Sequence, residues 1–372
     1  MAIEIKTVKT RRQLGEFIHF QEKLYKDDPM YVPALISDEW NCLRKDKNPA
    51  FEYCEADYFL AYKDGVLSGR IAAIINHKAN THWGEKVVRF GWIDMVDDLN
   101  VTAALIEAVR AWGAERGCTK IKGPLGFTDM DKEGLQISGF DKTPSITVIY
   151  NFPYYADHLD KLGFAKAVDW TQKLVRIKDE VPQILKLGEL AAKKHNLTYF
   201  RPKSDKELSS KGRQMFHTLN SAFGELFEFI PLSDAQIDGY VNQYMPLLNR
   251  KLVGMVLTED GDVAAFVVSI PSLSKAMRKC RGRLFPFGWI PLLKALHKND
   301  ELDALMVAAM PKYQGTGAIV YLLYNLYQSI RDFGIKTMYM NPQLEENIKV
   351  QTAFDCLEPE EFMRRRCYVK DI

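Results

Sequence analysis

One order of elements is written twice along this chain, and any fold it adopts has to house both copies. Residues 58–62, the turn pair Asp64-Gly65 and residues 66–75 read as a β-hairpin rich in apolar and β-branched side chains. Residues 252–258, Asp260-Gly261 and residues 263–270 repeat it. Each hairpin is followed by a strand (89–96; 302–310) and a helix (101–115; 318–332). A glycine placed to stop that helix comes next (Gly117; Gly334), then a short strand ending before a proline (120–123 and Pro124; 337–341 and Pro342). The shared order predicts an α/β protein of two tandem units with mixed sheets, placed at residues 1–178 and 179–372.

The copies differ in length. Fifty-two residues separate Gly65 from Gly117 but 73 separate Gly261 from Gly334, so the second copy carries 21 more. The surplus falls near residues 272–299 and contains Arg278-Lys279-Cys280-Arg281-Gly282-Arg283, followed by Leu284, Phe285, Phe287 and Trp289. Basic residues leading into large apolar ones suit a segment that touches an anionic, apolar surface. Three readings stay open: a loop folded onto its own domain, a lid over an acyl chain or lipid substrate, and a protein interface. Peripheral membrane contact through residues 278–293 belongs with the lid reading.

With 372 residues, 47% of them hydrophobic and 26% charged, each copy is long enough to bury its own core. A net charge of +2 gives no reason to expect nucleic acid as a partner. Residues 1–10 alternate like a strand rather than forming an apolar targeting segment, and the six cysteines show no Cys-x-x-Cys pairing. Free thiols in a cytoplasmic protein and no bound metal are therefore expected. The uncharged run 313–330 places Ile319, Leu322, Leu323, Leu326 and Ile330 at helical spacing, and reads as a core helix rather than a membrane span.

The second copy enters its helix through Lys312-Tyr313-Gln314-Gly315-Thr316-Gly317-Ala318. A strand that turns through two glycines into a helix directs several backbone N–H groups at one spot, where the helix dipole also favours negative charge. Glycine permits the close approach that an anion needs there. The pattern is no Walker loop and lacks the third glycine of a dinucleotide fingerprint. At the matching place the first copy has Asp97-Asp98, whose charge argues against a phosphate. No Gly-x-Ser-x-Gly elbow supports hydrolase chemistry.

Lys312-x-x-Gly315-x-Gly317 resembles the Arg/Gln-x-x-Gly-x-Gly/Ala loop of the GNAT N-acyltransferase superfamily, with lysine in the first position. The doubled order of elements is similar to tandem GNAT proteins of bacteria. So are the phrases Gly69-Arg70-Ile71-Ala72-Ala73-Ile74 and Tyr150-Asn151-Phe152-Pro153-Tyr154-Tyr155. Leu159-Asp160-Lys161-Leu162-Gly163-Phe164 resembles the superfamily's Tyr-x-x-x-Gly-Phe closure, with leucine for tyrosine.

The resemblance implies two GNAT-like domains, of which the second alone binds coenzyme A or acyl-CoA. Lys312 and the amides of Gln314, Gly315, Thr316, Gly317 and Ala318 would then meet the pyrophosphate. Val307 and Ala308 would offer main-chain groups to the pantetheine arm, and Asn347 would face it from the closing helix. Asp303 falls where a general base often sits. Phe354 stands roughly where the family's thiolate-protonating tyrosine is usual, leaving Tyr321, Tyr324 or Tyr368 as substitutes. Phe285, Phe287, Trp289 and His297 are the substrate-facing candidates, with a surface histidine as the plain alternative for His297.

The implied function is acyl transfer from a CoA thioester to an amine, small or lipid-like, at the cytoplasmic side with peripheral contact at the inner membrane face. Two alternatives are a non-catalytic acyl-CoA sensor and an aminoacyl transferase of the tandem cell-wall type. The latter calls for a coiled-coil arm or strongly basic groove, neither of which is visible in the sequence. Oligomeric state stays open.

Overall fold

The computed structural model describes residues 2–245 and 248–372. In the first part of the chain the elements run β1 (Ile3–Thr7), α1 (Arg11–Leu24), α2 (Ile36–Cys42), β2 (Cys54–Lys63), β3 (Val66–Asn76), α3 (His77–Trp83) and β4 (Val87–Met95). They continue with α4 (Leu99–Ala114), β5 (Lys120–Gly123), β6 (Leu135–Ser138), α5 (Tyr154–Lys161) and β7 (Ala165–Arg176). Next come α6 (Gln183–Lys194), β8 (Thr198–Phe200), α7 (Asp205–Ser210), α8 (Gly212–Phe223), α9 (Asp234–Tyr244), β9 (Val253–Leu257) and β10 (Val263–Pro271). The rest are α10 (Ser274–Cys280), α11 (Trp289–His297), β11 (Glu301–Ala309), α12 (Ala318–Phe333), β12 (Thr337–Met340), β13 (Gln343–Leu344), α13 (Ile348–Asp355) and β14 (Glu360–Asp371).

Two compact units result, and neither is one continuous stretch. The first comprises Met1–Trp170, Ser274–Pro291 and Met363–Ile372; the second comprises Thr171–Leu273 and Leu292–Phe362. This differs from the expected division at residue 178 in two ways. Most of the inserted segment belongs to the first unit rather than the second, and so do the last ten residues. Pairing explains the exchange of strands. Residues 368–371 of β14 run antiparallel to β5, Tyr368 opposite Gly123, while Leu174–Arg176 of β7 run antiparallel to β12 in the second unit. Each unit is completed by a strand from the other part of the sequence.

In the first unit β1, β2, β3 and β4 pair antiparallel in that order, and β4 pairs parallel with β5. Strand alternation sends Phe59, Ala61, Ile71, Ala73 and Ile75 to a core beneath α4. Tyr58, Leu60, Ala72 and Ile74 go to a second core with Phe17 and Ile18 of α1. Both faces are covered, which is why Ile71-Ala72-Ala73-Ile74-Ile75 reads as an unbroken apolar run rather than an alternating one.

The second unit is built the same way around β10 and β11. Leu322, Leu323, Leu326 and Ile330 of α12 pack on Val256, Ala265, Val267, Leu302 and Met338. Gly334 ends α12 in the left-handed region, φ +91°. A Cβ on Gly188 of α6 would lie 2.5 Å from the Tyr321 nitrogen, so only glycine lets α6 cross α12 this closely. No helix among the described residues is long and apolar enough to cross a membrane.

One irregularity in this unit matters for everything that follows. The β10–β11 register shifts between Val268 and Ser269, leaving Leu305 as an extra residue on β11. The parallel β11–β12 pairing covers only Glu301–Ala304. Beyond Ala304, no strand among the described residues pairs with β11 on that side.

Removing residues 363–372 takes away the pairing partner of β5 together with the buried Met363, Cys367 and Tyr368. At about 2 kcal/mol per buried apolar side chain, roughly 6 kcal/mol is lost, comparable to a domain's whole stability. Hydrogen exchange of the truncated chain is expected to show protection lost across β2–β5 and retained in β9–β11. Unchanged protection in β5 would contradict the assignment.

Candidate functional site

The second unit's glycine loop continues directly from the unpaired part of β11. Pro311–Tyr313 form a short 3-10 turn, Gln314 is extended, Gly315 and Gly317 take φ of +75° and +83°, and α12 starts at Ala318. Tyr313 anchors the turn by donating its N–H to Met310 O at 2.8 Å and accepting the Thr316 hydroxyl on its carbonyl at 2.7 Å.

Of the five amides expected to face a diphosphate, two are engaged within the loop. Gln314 N–H closes on Pro311 O at 3.3 Å and Thr316 N–H on Tyr313 O at 3.4 Å. The amides of Gly315, Gly317 and Ala318 have no acceptor among the described residues. Tyr321 makes the first bond of the helix, to Gly317 O at 2.9 Å, so Ile319 and Val320 add two more uncommitted donors. Around Gly315 a Cβ would meet nothing within 4 Å, which is the room an anion needs, whereas at Gly317 it would lie 2.7 Å from the Ala191 Cβ. Lys312 is exposed, its ammonium 5.4 Å from the centre of the Tyr313 ring.

The strand register decides which residues face the open edge. Met310 donates to Ala264 O at 2.8 Å, toward β10. Because neighbouring residues turn their backbone groups to opposite edges, Ala308 also pairs toward β10, opposite Phe266, and Val307 and Ala309 face the gap. Val307 is thus available to a ligand at that edge, and Ala308 is not. Gln314 already donates its side-chain amide to Ala309 O at 3.3 Å.

Asp303 lies on the last paired part of the strand, opposite Ile270 on one side and Tyr339 on the other. Burial pushes its carboxyl up to about 7; the Ser272 hydroxyl pulls the other way without a hydrogen bond of good geometry, and Glu301 adds a smaller upward push. Tyr339 is pushed up to about 12 by burial and by Glu301 and Asp303, and donates to Glu301 Oε1 at 3.4 Å. Sequence reasoning named Asp303 but missed Tyr339. The available signal was its place on the short strand before Pro342, which pairs in parallel with Asp303's strand.

Other candidates are placed less favourably. Asn347 precedes α13, accepts Gln351 N–H at 3.2 Å and donates its own N–H to Leu344 O at 3.0 Å. Phe354 is buried in the core, and Tyr321 and Tyr324 pack against that core from α12. Tyr368 belongs to the first unit, where it is buried. His297 donates Nδ1–H to its own helix at Leu293 O, 2.8 Å, and is exposed. Phe285, Phe287 and Trp289 are exposed and belong to the first unit, not to the unit that carries Asp303.

In the first unit the corresponding features are filled by the chain itself. Asp98 caps α4, accepting Asn100 N–H at 2.9 Å and pairing with Lys63, so a carboxylate holds the place where an anion would bind. At the end of β4, Met95 N–H donates to the Tyr155 hydroxyl at 3.1 Å and Met95 O accepts the Tyr154 hydroxyl at 2.7 Å. Tyr155 also meets Tyr25, which donates to Asp94 at 2.8 Å, and Asp94 is ion-paired with buried Arg70 at 2.7 Å.

No protein-family model matches the chain. It is 29% identical to Protein YghO of Escherichia coli over 99% of this chain and 95% of the relative. It is 28% identical to a protein of Caulobacter vibrioides named bacterial ceramide synthase, over 89% and 87%. Among solved structures, a tandem GNAT protein from the clavulanic acid biosynthesis pathway superposes with a TM-score of 0.56 at 12% identity, covering 100% of this chain and 98% of that one. A GCN5-related N-acetyltransferase from Sphaerobacter thermophilus gives 0.52 at 10% identity, over 99% and 95%.

The two loop glycines separate binding from packing. Alanine at either position costs about 1–2 kcal/mol for its left-handed backbone, and at Gly315 the added Cβ also enters the open space in front of the uncommitted amides. Gly317→Ala additionally meets Ala191 and is expected to unfold several degrees below Gly315→Ala. Equal melting temperatures would refute this account of the helix start.

Proposed function

We propose that this chain, which has the tandem GNAT fold, is an acyl-CoA-dependent N-acyltransferase whose second unit holds the acyl donor and whose acceptor is a lipid-like amine. The observation that supports it most is the continuity of three features along β11 and α12: a buried carboxylate, an open strand edge and a cluster of uncommitted amides.

An acyl-CoA supplies the activated thioester. The amides of Gly315, Gly317 and Ala318 fit its diphosphate, with the Lys312 ammonium adding positive charge. Val307, on the open edge, fits the amide-bearing arm. An attacking amine must be neutral, and Asp303, with a pKa of about 7, is suited to take its proton near physiological pH. Tyr339 keeps its own proton at that pH and anchors Glu301 beside the base.

The lipid-like acceptor rests on the Caulobacter relative's name and on the apolar inserted segment. A non-catalytic acyl-CoA sensor is the second reading, favoured by the absence of a hydroxyl at Phe354. Free-thiol release from acyl-CoAs of increasing chain length, with short polyamines and long-chain amino alcohols as acceptors, separates the two. Release only with long-chain amines supports the proposal. Tight binding without thiol release identifies a sensor, and preference for short amines overturns the acceptor class.

The base assignment carries a pH signature. kcat/KM is expected to rise tenfold per pH unit below about 7 and level off above it, and Asp303→Asn to lose roughly 10²–10⁴-fold. Stability runs the opposite way. Because the folded pKa lies above the unfolded value of 3.8, the folded state holds its proton longer, and stability falls as pH rises from about 4 to about 7, by on the order of 4 kcal/mol. Asp303→Asn is therefore expected to melt no lower than the parent at pH 8. An inactive variant that also melts lower would indicate a structural role instead.

A further inference from the structure

We propose that the inserted segment docks the first unit onto a bilayer surface containing anionic phospholipid. This goes beyond the acyl-transfer reading and does not depend on it.

The segment is a built feature. Arg283 N–H bonds Cys280 O at 3.0 Å, Trp289 N–H bonds Leu284 O at 3.1 Å, and the Trp289 indole donates to Pro286 O at 3.1 Å. It is tied to the rest of the first unit by Ile36 N–H to Gly282 O at 3.0 Å, the Ser274 hydroxyl to Pro144 O at 2.8 Å, and Arg283 to Glu22 at 2.8 Å. A Cβ on Gly282 would lie 2.1 Å from Ala34 O, so the contact is close.

This hydrogen-bonded turn nonetheless holds large apolar side chains in water: Phe285 is 88% exposed, Phe287 70% and Trp289 49%, with Leu284 beside them. Keeping such groups ordered and wet is unfavourable unless something apolar receives them.

What receives them is indicated by the adjoining charge. A cavity of about 910 Å³ lies in the same unit, lined by seven basic side chains against three acidic ones. Lys23 and Lys26 come from one side and Lys275, Arg278, Lys279 and Arg281 from the inserted segment. Among the described residues no carboxylate pairs with Arg278, Lys279 or Arg281, and all three are exposed. Unspent cations beside an aromatic tip match the two layers of a membrane surface: phosphate at headgroup level, with the acyl boundary just beneath, where tryptophan and phenylalanine settle. A protein interface of useful affinity calls for a broad complementary patch, whereas here the apolar surface is concentrated in a few side chains of one turn.

Co-flotation with vesicles tests this on the full chain without requiring turnover. Binding to phosphatidylcholine–phosphatidylglycerol vesicles, weak binding to phosphatidylcholine alone, and loss with added salt are expected. Arg278→Gln with Arg281→Gln is expected to weaken partitioning about 30-fold, at about 1 kcal/mol per cation near the surface. Phe285→Ser with Phe287→Ser is expected to weaken it at least tenfold. Both double variants should melt like the parent, since the altered side chains are exposed. Equal binding to neutral vesicles, no binding to either, or full binding by the Phe variant overturns the proposal. Self-association abolished by the same Phe substitutions would also overturn it, by showing that a second copy covers the tip. Because vesicle binding and thiol release are separate readouts, the docking and the acyl-transfer reading stand or fall independently.

Discussion

A strand inside a sheet ordinarily commits both rows of its backbone groups. β11 does so only as far as Ala304, because β12 ends and the extra residue Leu305 enters the opposite ladder at that point. From there the groups of Val307 face a gap, and the chain runs on into a helix whose first amides are equally uncommitted. An early end to one parallel pairing therefore leaves two kinds of backbone group uncommitted in series: an extended strand edge, then the N–H groups of a helix start, where the helix dipole favours negative charge. Asp303 sits just before the opening, where the sheet is still closed and dry, and that dryness is what lifts its pKa to about 7.

The two units show how one scaffold is kept open or closed by a few side chains. In the first, β4 reaches its end and Met95 is bonded at once by Tyr154 and Tyr155, while Asp98 occupies the start of α4. In the second, Gly317 stands at the start of α12, and among the described residues the amides of Gly315, Gly317 and Ala318 find no acceptor within the chain. The closed copy spends its polar groups on itself, including the buried Arg70–Asp94 pair, where removing one partner would strand a charge.

What could be read from sequence was local. Gly65, Gly261 and Gly334 mark turns and a helix end because their positive φ is a property of a few consecutive residues. The helix over 318–333 declared itself by period, and the doubled order of elements followed from such signals. Gly315 and Gly317 were legible for the same reason, whereas Asp303 was named only through the resemblance. The rest depended on pairings between distant segments. Nothing near Leu305 announces the bulge, and without it Val307 and Ala308 look equivalent although their amides point opposite ways. Tyr339 becomes relevant only because β12 lies beside β11. The inserted segment was recognisable as unusual, but its membership of the first unit comes from bonds to Ile36, Glu22 and Pro144 that no spacing encodes.

The exchanged strands also impose an order in time. A ribosome makes β5 early, yet its partner β14 emerges only after nearly the whole second unit has been synthesised. Until then the first unit waits with a bare, hydrogen-bond-hungry edge, the kind that recruits a neighbouring chain when held exposed. The amino-terminal unit is thus the last to mature, and nascent copies on one message have reason to need shielding through that interval.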